Sequence, residues 1–472
     1  MTKYQLPGDL YPYQREDAEK MGLSKKGVLN FSEMGVGKTP ETLQTIEANG
    51  FKIPLIVCPN SLRLEWDRQI SEWIGENLTA VATPDAYAKL EPIVYSFTKD
   101  HHKKYRIINY EALRVDRHLE VLNLIPFDCI VFDEIHKLRN PKTKQVQGTW
   151  KFLEAHPDAK IIGLSGSPIM NYPNDLYVPL SVADPEKYPR NLQHWRYFMY
   201  KYCLWSDGQY GPYIYGTRGM RELREETSPY IIRRTKKEVL PFLPEKYYRR
   251  VLLEMQPDQR KLYNEMETQL QILLDSGEPL WSTNVLSTLT RLRQINLDPR
   301  IVGVTSSSAK TDFILDTVEA TDEKLVIFSC FEKYIYWLQL LLQGKGVSVV
   351  TITGEVPPDE RIKRVKKFQE DGSIKACLGT IQTMGEGITL TAASNVILAD
   401  RWWNQPVCDQ AIDRLHRIGQ KNSVQVIYPI CAKSVDEVLD SILERKNVAS
   451  QEYYQESQVR AIVMEERGLL SR

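Results

Sequence analysis

Three groups of residues, widely separated in the chain, have the types and spacing to handle a nucleoside triphosphate. The first is Ser32-Glu33-Met34-Gly35-Val36-Gly37-Lys38-Thr39. Its glycines allow successive backbone N–H groups around Gly35, Val36 and Gly37 to turn inward on a phosphate. Lys38 would then reach the β and γ phosphates of ATP, and the Thr39 hydroxyl would hold Mg²⁺. Ser32 stands where the full pattern has glycine. The second group is Asp133-Glu134, which follows the apolar run Cys129-Ile130-Val131-Phe132. Asp133 could bind the Mg²⁺ complex, and Glu134 could orient and deprotonate the attacking water. The third is Arg414 and Arg417 within Gln410–Gln420. Three apart on a helix, they would share a face and could both meet one γ phosphate as arginine fingers. Taken singly, an Asp-Glu pair is more often a solvated turn, and two arginines are more often a surface pair. Their occurrence together in one chain favours a nucleotide site split between two lobes, in which hydrolysis becomes lobe motion.

Such a site needs strands that end where the chemistry begins. Between Gly27 and Leu164 short apolar runs alternate with helical patterns: Val28–Phe31, Leu55–Cys58, Arg106–Asn109, Cys129–Phe132 and Ile161–Leu164. A second series contains Leu325–Phe328, Val347–Val350, Ala376–Leu378, Val396–Leu398 and Val424–Ile427. Runs apolar on both faces are the mark of parallel strands buried between helices. The expected fold class is therefore α/β, with two parallel-sheet lobes, the first over residues 1–170 and the second over 311–450. Residues 171–310 read as helical protrusions and linker between the lobes. Within them Trp195, Phe198, Tyr202 and Trp205 recur at helical spacing, which favours a packed aromatic face over stacking on bases. The polar run Thr305–Lys310 reads as the hinge into the second lobe, and 451–472 as a charged helical tail.

Lysine plus arginine and aspartate plus glutamate balance at 61 each, so bulk charge points to no polyanionic partner. Local basic runs at Arg233–Lys237 and Lys363–Lys367 are candidate phosphate patches, although short runs of this kind are more often solvated helix faces. The seven cysteines form no Cys-x-x-Cys pair, which argues against a zinc ribbon and for reduced, buried thiols. No stretch approaches eighteen uncharged apolar residues, and Met1-Thr2-Lys3-Tyr4 lacks the apolar core of a signal peptide. The expectation is a cytoplasmic protein without membrane contact.

With these residues in place, the chain resembles the Swi/Snf-type ATPases of helicase superfamily two, from about Leu10 to Lys446. Leu10-Tyr11-Pro12-Tyr13-Gln14 is similar to the family's adenine-sensing opening, which nominates Gln14. Cys58-Pro59-Asn60-Ser61-Leu62 with Trp66, and the basic residues after Asp133-Glu134-Ile135-His136, resemble segments that touch nucleic acid. Leu164-Ser165-Gly166-Ser167-Pro168 resembles the segment that links hydrolysis to movement. Ile232-Arg233-Arg234-Thr235-Lys236, Leu243-Pro244, Leu292-Arg293-Gln294, Gly385–Ala393 and His416–Gln420 resemble blocks peculiar to the family. The resemblance implies two RecA-like lobes with ATP and Mg²⁺ as cofactors. It adds Gly387 to the nucleotide contacts, and assigns Ser61, Asn109, Lys137, Arg139, Thr380 and Trp403 to nucleic acid. Gln420, where RNA helicases of the superfamily usually carry arginine, points to DNA, with duplex favoured and little sequence specificity. Ile135, Thr389 and Trp402–Pro406 depart from the family pattern.

The expected function is an ATP-driven translocase on duplex DNA that remodels protein–DNA complexes or junctions, acting as a monomeric motor. A strand-separating helicase is the enzymatic alternative. A nucleic-acid scaffold that binds ATP without turnover is the alternative from another class, disfavoured by intact Lys38, Glu134 and Arg417. Protein partners are not indicated, and the compact size suits the cytoplasm of a bacterial or virus-infected bacterial cell.

Overall fold

The computed structural model describes residues 10–81, 103–166, 172–208, 211–276, 283–385, 387–402 and 405–440. The chain divides into two compact units, Met1–Pro241 and Phe242–Arg472.

Unit 1 is built on seven parallel strands: β1 (Val28–Asn30), β2 (Pro54–Cys58), β3 (Thr79–Val81), β4 (Tyr105–Asn109), β5 (Cys129–Asp133), β6 (Lys160–Leu164) and β9 (Ile231–Ile232). Their order in the sheet is β3-β4-β2-β5-β6-β1-β9. Side chains alternate between two apolar layers, as the period of a strand requires. Ile130 and Phe132 join Leu55, Trp150, Phe152 and Leu180 on one face. Cys129 and Val131 join Leu43, Ile46, Trp66 and Ile70 on the other. Both faces being covered explains why these strands read as continuous apolar runs. The register pairs Asn30 and Asp133 alike with Leu164, so β1, β6 and β5 end level. The loop after β1 and the carboxylates after β5 therefore emerge on the same edge of the sheet, where open α/β sheets bind ligands.

Unit 2 repeats the plan with β10 (Lys246–Leu253), β11 (Leu325–Ser329), β12 (Val349–Ile352), β13 (Ala376–Thr380), β14 (Asn395–Leu398) and β15 (Val424–Cys431). These strands too are all parallel, in the order β10-β15-β14-β11-β13-β12. Two RecA-like α/β units follow from the sheets themselves.

The segment read as helical protrusions and linker also contains strands. An antiparallel hairpin, β7 (Cys203–Gly208) and β8 (Gly211–Thr217), follows the helix Leu192–Tyr202. β9 and β10 are edge strands of their sheets, and β10 is largely exposed. An edge strand with an open face needs no apolar run, which is why periodicity did not announce it. On the helix Leu192–Tyr202, packing explains the aromatics. Phe198 and Tyr202 lie in the unit 1 core with ring centroids 4.8 Å apart and edge to face, and Trp195 packs partly against the same core. Trp205 stands instead against Tyr200, at 4.5 Å.

The polar run 305–310 lies inside unit 2 and is not the junction between the units. Ser308 caps the helix Ala309–Ala320 through Thr311 N–H and donates to Leu297 O. Lys310 is buried, paired with Asp436 at 2.6 Å. The cysteines are free thiols, and burial pushes those of Cys203, Cys408 and Cys431 up to about 12. Among the described residues no helix is long and apolar enough to cross a membrane. Trp403 and the expected tail 451–472 lie outside the described residues.

Candidate functional site

The loop after β1 has the conformation its glycines permit. Gly35 and Gly37 adopt φ of 82° and 94°, a region that L side chains enter at a cost of roughly 1–2 kcal/mol. The helix Lys38–Ala48 starts immediately after Gly37, so its first N–H groups and positive dipole end face the loop. Val36 is buried, and its carbonyl accepts from Tyr13 Oη (2.6 Å) and Gln14 Nε2 (3.0 Å). A Cβ on Gly37 would collide with Gln14 Nε2, a second reason for glycine at this position. Gln14, nominated for the base, is thus tied to the loop through its amide nitrogen, while its Oε1 accepts from Tyr11 N–H at 2.9 Å. Lys38 Nζ donates to Ser32 O (2.7 Å) and Glu33 O (3.0 Å). Thr39 is half-buried at the start of the helix.

Ser32, the departure from the glycine pattern, uses its hydroxyl. Ser32 Oγ accepts from the backbone N–H of Arg234 at 3.1 Å. The Arg233–Lys237 run is accordingly no phosphate patch as a whole. Arg234 pairs with the fully buried Asp17, and Lys236 is buried; only Arg233 and Lys237 face outward. In the other basic run, Arg364 bonds Thr351 O and pairs with Glu360 on an otherwise solvated helix.

Asp133 ends β5, and Glu134 follows it at the start of the 3-10 turn Ile135–Leu138. Asp133 Oδ2 accepts from Trp66 Nε1 (2.9 Å), Asp133 Oδ1 from Glu134 N–H (3.0 Å), and Asp133 O from the Tyr110 hydroxyl (2.8 Å). Burial and the adjacent Glu134 carboxylate push the Asp133 carboxyl up to about 6, while Trp66 and Lys38 pull the other way. A carboxylate crowded by desolvation and a like charge is a place where a cation is stabilised. The donor set therefore fits Mg²⁺ held by Asp133 and the Thr39 hydroxyl beside the phosphate loop. Glu134 turns the chain at φ 54°, in left-handed space, and only 8% of it is exposed. Its Oε2 lies 3.2 Å from His136 Nδ1, and that nitrogen is 3.0 Å from Ser165 Oγ. A polar chain thus runs from the carboxylate to the end of β6, at the segment expected to couple hydrolysis to movement. Ser167 and Pro168 of that segment lie outside the described residues.

Tyr110 on Asp133 and Asn30 behind the loop escaped motif reading, and Trp66 and Arg234 were singled out there without these contacts on Asp133 and Ser32. Asn30 Nδ2 donates to the fully buried Glu41 at 2.6 Å, where burial holds the Glu41 carboxyl up at about 8. Nothing in spacing announces such contacts, because each joins side chains on different elements, those of Trp66, Tyr110 and Arg234 across long stretches of chain.

In unit 2 the arginines are not presented from a helix. The helix Gln405–Ile412 ends before them, and both lie in the turns that follow. Leu415 is fully buried, His416 Nε2 meets Pro244 O at 2.6 Å, and Gly419 takes φ 101°, so the chain cannot continue helically. They still converge on one loop. Arg414, 5% exposed, donates to Gly385 O. Arg417 Nη1 donates to Ile388 O (3.1 Å) and Thr389 Oγ1 (2.8 Å). Gly387 in that loop has φ 68°. Gln420 is an internal brace, bonding Ala393 O at 2.8 Å.

Of the residues assigned to nucleic acid, Ser61 follows β2 in a single 3-10 turn. Thr380 ends β13 and bonds Thr383 at 2.9 Å. Asn109 ends β4 with only 8% exposed, which leaves little of it to offer a partner. Lys137 and Arg139 are exposed. Arg139, Asn140, Lys142, Asn174, Asp175 and Trp195 line a cavity of about 230 Å³. The Lys142 ammonium stands 5.8 Å from the Trp195 ring centroid.

The chain matches the SNF2-related domain over residues 13–301 and the helicase conserved C-terminal domain over 309–419. It is 27% identical over 455 residues to the mouse (Mus musculus) DNA annealing helicase and endonuclease ZRANB3, covering 93% of this chain and 40% of that protein. A Caenorhabditis elegans relative, a homologue of the SWI/SNF-related matrix-associated actin-dependent regulator of chromatin subfamily A-like protein 1, is 27% identical, with coverage of 93% and 61%. The SWI2/SNF2 ATPase core of Sulfolobus solfataricus, solved in complex with dsDNA, is 26% identical with a TM-score of 0.44, covering 100% and 98% of the two chains. This chain thus spans about 40% of the length of the first of these relatives. With the glycine loop, the carboxylates at the end of β5 and a domain match running from residue 13 to 301, the chain belongs to the SNF2-related family of helicase-like ATPases.

Proposed function

We propose that this chain hydrolyses ATP at the Ser32–Thr39 loop and uses the energy to move along duplex DNA without reading its sequence. The observation that carries the nucleotide half is the level ending of β1 and β5, which sets the Lys38 loop and the Asp133–Glu134 carboxylates on one edge of a single sheet. The loop N–H groups and Lys38 bind and orient the phosphates, and Gln14 is the candidate for the base. Glu134, with His136 behind it, takes the proton from the attacking water. Mg²⁺, held by Thr39 and Asp133, would neutralise charge on the phosphates. Arg414 and Arg417 carry the role the resemblance gives them, stabilising charge at the γ phosphate during turnover.

The DNA half is supported by the names of the relatives, a DNA annealing helicase among them, and by exposed Lys137 and Arg139 with the Lys142 cavity. Contacts of this kind, cation to phosphate, position a protein without specifying a base sequence.

The test is steady-state ATPase rate with duplex DNA, single-stranded DNA, RNA or no polymer, for the unsubstituted chain and Lys38→Ala. Duplex should stimulate most, and Lys38→Ala should abolish turnover throughout. Stimulation by single strands but not by duplex would sink the translocase reading, and absence of turnover under every condition would sink hydrolysis itself.

A further inference from the structure

The phosphate loop is held from two sides, and the two holders are tied to each other. On its first half, Phe31 N–H donates to Ile232 O (2.8 Å) and Glu33 N–H to Arg234 O (2.9 Å). Arg234 N–H donates to Ser32 Oγ (3.1 Å), and Lys236 N–H to Glu33 Oε2 (2.9 Å). On its second half, Val36 O is held by Tyr13 and Gln14 of the helix Pro12–Leu23. That same helix carries Asp17, fully buried, whose carboxylate takes Arg234 Nη2 at 2.7 Å and Nε at 3.0 Å. Glu16 adds a second carboxylate to Arg234 Nη2 at 2.9 Å.

We infer that Arg234 is a positioning residue of the nucleotide site, locking the two supports of the phosphate loop into one frame through its ion pair with Asp17. The inference rests on the reading that this loop binds ATP. It explains why a guanidinium in a basic run turns inward, and why a serine hydroxyl replaces the first glycine of the loop. The Ser32 and Glu33 carbonyls, on which Lys38 Nζ rests, belong to the half of the loop that the Arg234 segment holds. Bidentate geometry suits this use, since a planar fork fixes orientation as well as distance. The consequence is preorganisation. A loop already shaped for phosphate does not spend binding energy on ordering its amides. Arg234 lies two residues past β9, the edge strand of the unit 1 sheet, and unit 1 ends at Pro241. The loop is thereby braced by the stretch of chain that next enters unit 2.

Losing preorganisation weakens ground state and transition state alike, so KM should move and kcat should not. In Arg234→Ala the KM for ATP should rise about tenfold with kcat within about twofold, and Arg234→Lys should recover part of the loss. Asp17→Asn should match Arg234→Ala, and the double variant should add little. Ser32→Ala, which keeps the ion pair, gives a second route to a looser loop should Arg234→Ala fold poorly. Hydrogen exchange on the peptide spanning 28–40 should quicken in each variant, while β2 and β5 keep their protection. Unchanged KM and loop exchange with a lowered Tm would overturn the inference and leave Arg234 a purely structural ion pair. ATP binding can be read directly with a fluorescent analogue: no binding to the unsubstituted chain would overturn the nucleotide reading and this inference with it, whereas equal binding to both chains would overturn the inference alone.

Discussion

Trp66→Phe isolates a single bond at the carboxylate site. The substitution removes the indole N–H that meets Asp133 Oδ2 at 2.9 Å and keeps an aromatic ring at a position 2% exposed. A hydrogen bond to a charged acceptor contributes ~1.5–3 kcal/mol net. If that energy holds Asp133 in its Mg²⁺-binding orientation, it converts at about 1.4 kcal/mol per decade to ~10–100-fold. Partners lying behind metal ligands typically account for losses of about this size. The half-saturating Mg²⁺ concentration for ATPase turnover should therefore rise about tenfold or more, with kcat at saturating Mg²⁺ falling less. The control is Trp73→Phe on the same helix, where the indole N–H meets only Gln69 Oε1 at 3.2 Å among the described partners. It removes the same indole donor from a neutral acceptor and should leave the Mg²⁺ dependence unmoved. An unchanged Mg²⁺ titration in Trp66→Phe, accompanied by a drop in Tm, would refute the reasoning and make the bond one of fold alone.

Gly37→Ala should cost about 1–2 kcal/mol in backbone strain and displace Gln14 from Val36 O, so calorimetry should find ATP affinity lowered about tenfold or more. Glu134→Gln should bind ATP normally and slow single-turnover hydrolysis by about 10²–10⁴; unchanged turnover would remove Glu134 from its role. The two arginines should separate. Arg414→Ala also removes a buried guanidinium from Gly385 O and should lower Tm as well as kcat, whereas Arg417→Ala should lower kcat about 10³-fold with a smaller thermal effect, and an unchanged kcat in either variant would count against its assignment. Lys142→Ala should weaken duplex binding at low salt and reduce the slope of log affinity against log salt by about 1, and an unaltered slope would exclude a phosphate contact at that cavity.

Local chemistry was legible where neighbours in sequence are neighbours in space. The strands β1, β2, β4, β5, β6 and β11 to β15 announce themselves because a strand buried on both faces must be apolar throughout. The phosphate loop is legible for the same reason: glycines, lysine and threonine act within one turn of chain. β3, β9 and β10 were silent, being short or lying at an edge of the sheet where half of each residue faces away from the core. The helix expected beneath Arg414 and Arg417 failed because burial of Leu415 and the bond from His416 to Pro244 O override a local helical pattern.

By itself the chain's order of residues sets the two parallel sheets, the nucleotide loop and the acidic strand end, since each depends on contiguous residues and on backbone geometry. Charge partners lie beyond its reach. Arg234 and Lys236 look identical in sequence to Arg233 and Lys237, yet one pair is folded inward and the other faces solvent. What separates them is a buried carboxylate on a helix more than two hundred residues earlier, Asp17, and a strand pairing of β9 with β1. A buried charge is tolerated only where a partner already waits. Which cations have one is settled by the fold that brings distant elements together.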